Sequence, residues 1–285
     1  MQDLFDSPFA PTVLACVLAS LAVGGLARLA RSALLANLAA PVTFLVAYYE
    51  TYNKIPDFPP VGSTNKIFYI ALFAAVVGVA LDLLAPARVA RWVMLAAPLP
   101  MAVWIGLPRF ADASAVFVLE LLALTVGGAV VLWRVAVLAG RAASDGGPLV
   151  AGGLLAVLPG VFAPIALFGA SSTSVGLCLG LTAGLGVGAG LTLWRPMPVR
   201  LTAVLGAGGG LLAVIDTVTL ITQRVDPVAL VLFLAVLVAG QAGGRWLLPA
   251  DRPGPRLRGI AQTLLAATPV VAILALLFLT HESPL

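Results

Sequence analysis

The chain has 285 residues, of which 61% are hydrophobic and 10% are charged, and its mean hydropathy is +1.09. A soluble domain of this composition would lack the polar residues needed to cover its surface, so an ordinary soluble protein is excluded. The net charge of +4 would suggest nucleic-acid binding in a soluble protein. Here the basic residues lie between apolar segments, where they orient a chain in a bilayer. We therefore expect the lipid bilayer, and no nucleic acid, as a partner.

Ten apolar segments follow one another, each close to the length of about 20 residues that spans a bilayer. They predict an all-α polytopic membrane protein of about ten transmembrane helices, with residues 1–285 forming a single transmembrane domain. The segments lie near 10–28, 32–49, 67–85, 89–107, 112–134, 149–170, 173–194, 200–222, 226–246 and 258–280.

Arginine fills every second link between these segments. Because basic residues are retained on the cytoplasmic side, the alternation predicts that both termini are extracytoplasmic. Fourteen of the sixteen basic residues are Arg, which is typical of a GC-rich bacterial genome and favours a bacterial inner membrane. The Arg-rich links contain Arg28, Arg31, Arg88, Arg91, Arg134, Arg141, Arg195, Arg200, Arg245, Arg252, Arg256 and Arg258, and the alternate links contain Lys54, Lys66, Arg109 and Arg224.

Each helix that is predicted to run outward carries a helix breaker part-way along its length. Discontinuous helices of this kind line the midplane sites of many transporters. Proline is also common in membrane helices without such a role. The breakers are Pro41, Pro98 with Pro100, Pro159 with Pro164, the run Gly208 to Gly210, and Pro269.

The sequence is consistent with two alternative patterns of internal repetition. In an inverted repeat of residues 1–140 and 145–285, Lys66 and Asp82 would match Arg200 and Asp216, since sixteen residues separate each pair. In a duplication of hairpins, the Leu-Trp-Arg strings at 132–134 and 193–195 would match instead.

Three of the twelve acidic residues, Asp82, Glu120 and Asp216, fall within predicted helices. A carboxylate in hydrocarbon is unfavourable by several kcal/mol unless it is protonated, paired or facing a watery cavity. Glu120 lies about 12 Å from the outer end of its helix, among apolar neighbours, so any partner must come from elsewhere. Asp216 lies at a similar depth and shares a helix face with Thr219.

We predict Glu120, Asp216 and Thr219 as a substrate- or ion-binding set. The alternative is that each carboxyl satisfies a kinked helix or a neighbouring hydroxyl. Asp82 is included in the binding hypothesis, but it precedes Pro86 by four residues and lies close to Arg88. For Asp82 an ion pair at the cytoplasmic interface is therefore favoured.

All four tyrosines and both lysines of the chain lie in or beside the outer link at 50–66, which also contains three prolines. It predicts an ordered extracytoplasmic lid or a docking surface, whereas in the alternative interpretation its tyrosines anchor the helices at the interface. The residues predicted to contact a partner are Glu50, Tyr52, Lys54, Phe58 and Lys66.

Residues that could support catalysis are few. The single histidine, His281, lies near the carboxyl end, and Cys16 and Cys178 fall inside predicted helices, where they act as small apolar residues. The glycines Gly184, Gly186, Gly188 and Gly190 favour close helix packing over phosphate binding. We expect no enzymatic activity, no metal and no cofactor.

Two functions are consistent with these patterns. The first is a secondary transporter or permease for a small molecule or ion. The second is a non-catalytic subunit or assembly factor that docks on a larger membrane complex through the 50–66 loop. A cavity shared by Glu120 and Asp216 would favour the first.

Overall fold

The computed structural model describes residues 7–112, 114–141, 146–247 and 254–280, with the backbone alone at 241–247 and 255. The protein is an all-α polytopic membrane protein, as the sequence predicts. Arg252, His281 and both chain ends lie outside the described residues. The orientation of the termini therefore stays a prediction.

Twelve α-helices make up most of the described chain. A 3₁₀ helix (Leu107–Asp112) follows α5, and a π-helix (Val218–Thr222) continues α9. The helices are α1 (Ala10–Leu29), α2 (Ala33–Tyr52), α3 (Ser63–Leu84), α4 (Ala87–Ala96), α5 (Pro98–Gly106), α6 (Ala115–Ala139), α7 (Gly147–Phe168), α8 (Ser172–Trp194), α9 (Leu201–Thr217), α10 (Pro227–Leu247), α11 (Pro255–Ala266) and α12 (Pro269–Thr280).

Each of the ten predicted segments coincides with a helix or with two successive helices. Within the described residues, nine stretches are long and apolar enough to cross a membrane, and α10 contributes the shorter apolar stretch Pro227–Gly240. The fourth span combines α4, α5 and the 3₁₀ helix, and the last combines α11 and α12.

Two of the predicted breakers interrupt a helix, and the others do not. Pro98 begins α5 and Pro269 begins α12, positions where the missing N–H of proline is one of those that a helix start leaves without an intrahelical partner. Pro41 lies inside α2, Pro159 and Pro164 lie inside α7, and the glycine run lies inside α9, without interruption of the helix.

Helix α9 and its π-helical end lie at the centre of the bundle. In the apolar stretch of this span 94% of the residues are buried, compared with 72% for α7 and no more than 44% for the other spans of the described chain. Helices α2, α3, α5, α6 and α7 pack around it.

Glycine allows the neighbouring helices to approach α9 closely. A Cβ atom added to Gly78 of α3 would lie 2.6 Å from the Thr202 Cα, and one added to Gly206 would lie 2.6 Å from the Pro41 Cβ. The glycines of α9 therefore provide close packing, which any larger residue would disturb. In α8 the same holds for Gly184, whereas Gly186 and Gly190 face open space.

Polar contacts tie together the helix ends that carry the arginine-rich links. The buried guanidinium of Arg28 donates to the carbonyl oxygens of Leu191 (3.0 Å) and Gly24 (2.9 Å). The Asn37 Oδ1 accepts from the Arg200 amide at 2.6 Å. A cation at the carboxyl ends of α1 and α8 is favoured by both helix dipoles, so Arg28 stabilises this end of the bundle.

Candidate functional site

Helices α6, α9 and α10 enclose a cavity of about 240 Å³. Glu120 lines it from α6, Asp216 lines it from the last turn of α9, and Thr219 lines it from the π-helix. Its other lining residues are aliphatic, phenylalanine, proline or glycine. The two carboxyls that the sequence places at similar depth thus share one cavity, which is otherwise apolar.

Asp216 and Thr219 are buried without a partner. Their exposed fractions are 3% and 7%. The Thr219 hydroxyl has no hydrogen-bond partner, and within the described part of the chain no donor reaches the Asp216 carboxyl. The neighbouring Thr217 and Thr222 instead donate to helix carbonyls at 2.7 and 2.6 Å. Among the described residues, the Thr219 hydroxyl therefore has unused hydrogen-bonding capacity, which is rare for a buried group, and the Asp216 carboxyl lines the same cavity.

Glu120 is paired with Arg109, which the sequence interpretation did not identify as its partner. The Arg109 Nη1 lies 2.9 Å from the Glu120 Oε2, the one salt bridge among the described residues. The same nitrogen donates to the Leu220 carbonyl at 3.1 Å, and the guanidinium carbon lies 4.8 Å from the centre of the Phe117 ring. With its amide oxygen turned toward the guanidinium, Gln223 accepts from Nε and Nη2 at 3.1 and 3.3 Å.

Arg109 can reach these groups because of local backbone geometry. It lies on the 3₁₀ helix between α5 and α6, and its guanidinium contacts the Leu220 carbonyl of the π-helix that continues α9. The π-helix ends at Gln223, whose φ of 55° places it in the left-handed region. Single π-helical turns are frequent at functional sites because they change the direction of side chains and free backbone groups.

The cavity reaches the surface of the bundle between α6 and α10. Ala123 and Val231 line it and are also exposed. Ala123 lies in a membrane-crossing segment and Val231 in the shorter apolar stretch of α10, so this opening of the cavity has an apolar rim.

Asp82 lies outside this cavity and caps α9. Its carboxylate accepts from the backbone amides of Leu201 (3.1 Å) and Thr202 (2.9 Å) and from the Thr202 hydroxyl (2.6 Å). The structure pairs Asp82 with the start of α9 and shows no ion pair between Asp82 and Arg88. Two of the four free N–H groups of a helix start are satisfied in this way.

The residues predicted as partner contacts in the 50–66 loop differ in their surroundings. Glu50, Lys54 and Phe58 are exposed, whereas Tyr52 is half-buried and packs on Tyr48 with ring centroids 4.6 Å apart. Lys66 is buried, and its Nζ donates to the Trp104 carbonyl at 2.7 Å. Lys66 therefore joins α3 to the end of α5, and its ammonium is not available to a partner in this structure.

The loop itself, residues 53–62 between α2 and α3, is anchored to the bundle. The Tyr69 hydroxyl donates to the Pro56 carbonyl at 2.7 Å, and the Phe58 ring lies edge-on to Tyr69 at 5.3 Å. Ile55, Phe58 and Val61 are nevertheless 67%, 68% and 88% exposed, which gives the loop an apolar surface.

Cys16 and Cys178 are buried free thiols, as expected. Among the residues that the structure describes, no three His, Cys, Asp or Glu side chains come together as metal ligands. No model of a known protein family matches the chain, and a comparison with curated proteins finds no significant match.

Proposed function

We propose that the protein is a secondary transporter or permease for a small molecule or ion in the bacterial inner membrane. In this proposal the cavity between α6, α9 and α10 binds the substrate, and the protein acts without catalysis or a cofactor. The observation that carries the proposal is the buried Asp216 carboxyl, which lines a cavity of the helix bundle and has no partner among the described residues.

A comparison with Asp82 supports a binding role for Asp216. Both are carboxyls of membrane-spanning helices, but Asp82 forms three hydrogen bonds and thereby has a structural task. Asp216 has no comparable contact among the described residues. An ionisable group kept in a membrane helix at a cost of several kcal/mol, without a structural task, is best explained by a ligand.

Interrupted helices next to the cavity also support transport. α5 begins at Pro98, which packs against Gly128 of α6, a residue of the cavity wall. The π-helix that carries Thr219 forms another irregular segment of the wall. Discontinuous helices at the binding site are a common device of secondary transporters.

The proposal is tested by reconstitution into proteoliposomes and by a screen of small molecules for substrate-dependent currents or uptake. We expect Asp216→Asn to abolish the transport that wild-type protein shows. Asp57→Asn, which changes an exposed loop carboxyl, serves as the matched control and should transport normally. Full transport by both Asp216→Asn and Glu120→Gln would contradict the proposal.

A second candidate is a non-catalytic subunit or assembly factor, and the exposed Ile55, Phe58 and Val61 favour it. An apolar surface on an ordered loop outside the bilayer is typical of a protein interface. Purification from host membranes in mild detergent, followed by native mass spectrometry, tests this function. A stable complex that is lost in Phe58→Ser would support it, and a lone chain would exclude it.

A further inference from the structure

We propose that the cavity binds a primary or secondary ammonium ion that carries a small apolar group. The nitrogen would lie between Asp216 and Thr219, and the apolar group would fill the rest of the cavity. Identifying this ligand as the transported substrate rests on the proposed function, whereas the binding itself does not.

The charges at the cavity select a cation. Glu120 is compensated by Arg109 at 2.9 Å. Asp216 has no basic partner among the cavity-lining residues that the structure describes. A buried carboxylate has to be neutralised by a proton or by a counter-ion. A bound monovalent cation would therefore complete a site that the protein leaves uncompensated.

The charges also disfavour an anion. Arg109, the basic partner of the lining residue Glu120, already contacts Glu120, the Leu220 carbonyl and Gln223. An anionic ligand would have to displace these contacts and would lie beside Asp216.

The hydrogen-bonding groups select a nitrogen that carries protons. The Thr219 hydroxyl has no partner and lies three residues from Asp216, on the same helix face. Carboxylate and hydroxyl oxygens both accept hydrogen bonds from an ammonium group. A hard metal cation would instead need about six or more oxygen ligands, and apart from Glu120, which is paired with Arg109, the remaining described wall offers hydrocarbon.

The size and composition of the cavity define the rest of the ligand. Its volume of about 240 Å³ is below the range of roughly 300–1,000 Å³ that is common for drug-sized ligands. Leu212, Phe233 and Leu234 are among its apolar walls. Burial of an apolar group there would contribute the hydrophobic part of the affinity. The exposed Ala123 and Val231 mark an opening with an apolar rim, which an amphiphilic amine can enter.

A proton and the ammonium ion would compete for Asp216, so amine binding should weaken at low pH. Glu120 is the only other ionisable group among the described lining residues, and Arg109 pairs with it. The other ionisable groups on helices packed against α9 do not line the cavity: Tyr48, Tyr49, Glu50 and Tyr52 of α2, Lys66, Tyr69 and Asp82 of α3, and Arg134 of α6.

Three probes of similar shape test the proposal on the full chain in detergent, by isothermal titration calorimetry at neutral pH. They are 2-phenylethylamine, which is a cation, 2-phenylethanol, which is neutral, and 3-phenylpropanoate, which is an anion. We expect the amine to bind at least tenfold more tightly than the other two. Asp216→Asn should reduce amine affinity at least tenfold and remove its advantage over the alcohol.

Further variants separate the roles of the side chains. Thr219→Val should weaken amine binding by about threefold to tenfold, the effect of one hydrogen bond, and Glu50→Gln at the end of α2 should leave it unchanged. Thermal unfolding curves establish that each variant is folded. The comparison of the three probes on wild-type protein does not depend on any variant.

Equal binding of amine and alcohol, preferred binding of the propanoate, or no binding of the amine would overturn the proposal. Transport in proteoliposomes is measured separately. Amine binding without transport of any tested compound would leave the ligand class intact and contradict the transporter function. Asp216-dependent transport of another compound, without amine binding, would support the function and overturn the ligand class.

Discussion

The carboxylate of Asp82, on α3, accepts hydrogen bonds from the backbone amide and the hydroxyl of Thr202, on α9, at 2.9 and 2.6 Å. The two residues are 120 positions apart in sequence. This contact fixes the start of α9, the central helix, to the end of α3, the helix with which α9 forms its largest interface. A negative charge at a helix start is also favoured by the helix dipole.

Asp82→Ala should destabilise the protein, because the first amides of α9 would lose their acceptor. We expect a decrease of about 2 kcal/mol in the free energy of unfolding, measured by SDS-induced unfolding in mixed micelles. Asp57→Ala, at an exposed carboxyl, should have little effect. If Asp82→Ala keeps full stability but loses transport, Asp82 has a direct functional role.

The ion pair of Arg109 and Glu120 should show a measurable but small coupling. Their side chains are 21% and 31% exposed, so the pair is partly screened. A double-mutant cycle with Arg109→Gln and Glu120→Gln should give a coupling of about 1 kcal/mol in unfolding free energy. Strictly additive single-variant effects would show that the pair contributes nothing to stability.

Replacing a glycine at the contact between α3 and α9 should lower the stability of the protein more than replacing a glycine that has no neighbouring atoms. In Gly78→Ala the new methyl group would meet the Thr202 backbone at 2.6 Å, and backbone cannot move aside without shifting a helix. We expect a loss of about 1–3 kcal/mol in unfolding free energy. Gly25→Ala is the control, since no atom lies within 4 Å of its added Cβ. Similar stability of both variants would contradict this packing.

The hydrogen bond from Tyr69 to Pro56 should order the outer loop without affecting the bundle. Tyr69→Phe removes a 2.7 Å bond, which is worth about 1 kcal/mol. Hydrogen exchange measured by mass spectrometry should become faster at residues 53–62 and stay unchanged in α9. Tyr49→Phe, at an exposed tyrosine, should leave loop exchange as in the wild type. If loop exchange is also unchanged in Tyr69→Phe, the hydrogen bond from Tyr69 to Pro56 does not restrain the loop.

The helices were predictable because a bilayer forces each span to be long, apolar and internally hydrogen-bonded. The depth of the acidic residues within the membrane-spanning helices was also predictable from the sequence. Glu120 and Asp216 lie at comparable distances from the outer helix ends, and the structure places them in one cavity.

The partners of the polar residues were less accessible from sequence. Arg109 lies on a 3₁₀ helix, where it pairs with Glu120 of the next helix, and no periodic pattern in the sequence predicts that short element. Arg88 is close to Asp82 in sequence, yet the partners of Asp82 are the amides of Leu201 and Thr202. Lys66 was expected to extend toward a partner, but the end of α5 offers it the Trp104 carbonyl.

The burial of α9 also determines when the bundle can be completed during synthesis. Membrane helices insert individually and then associate, and α2, α3, α5, α6 and α7 all precede α9 in the chain. Until α9 emerges, the close-packing surface at Gly78 has no protein to cover it and Asp82 has no amides to bind. Early termination before residue 222 would therefore leave inserted helices without their common core, as a substrate for membrane quality-control proteases.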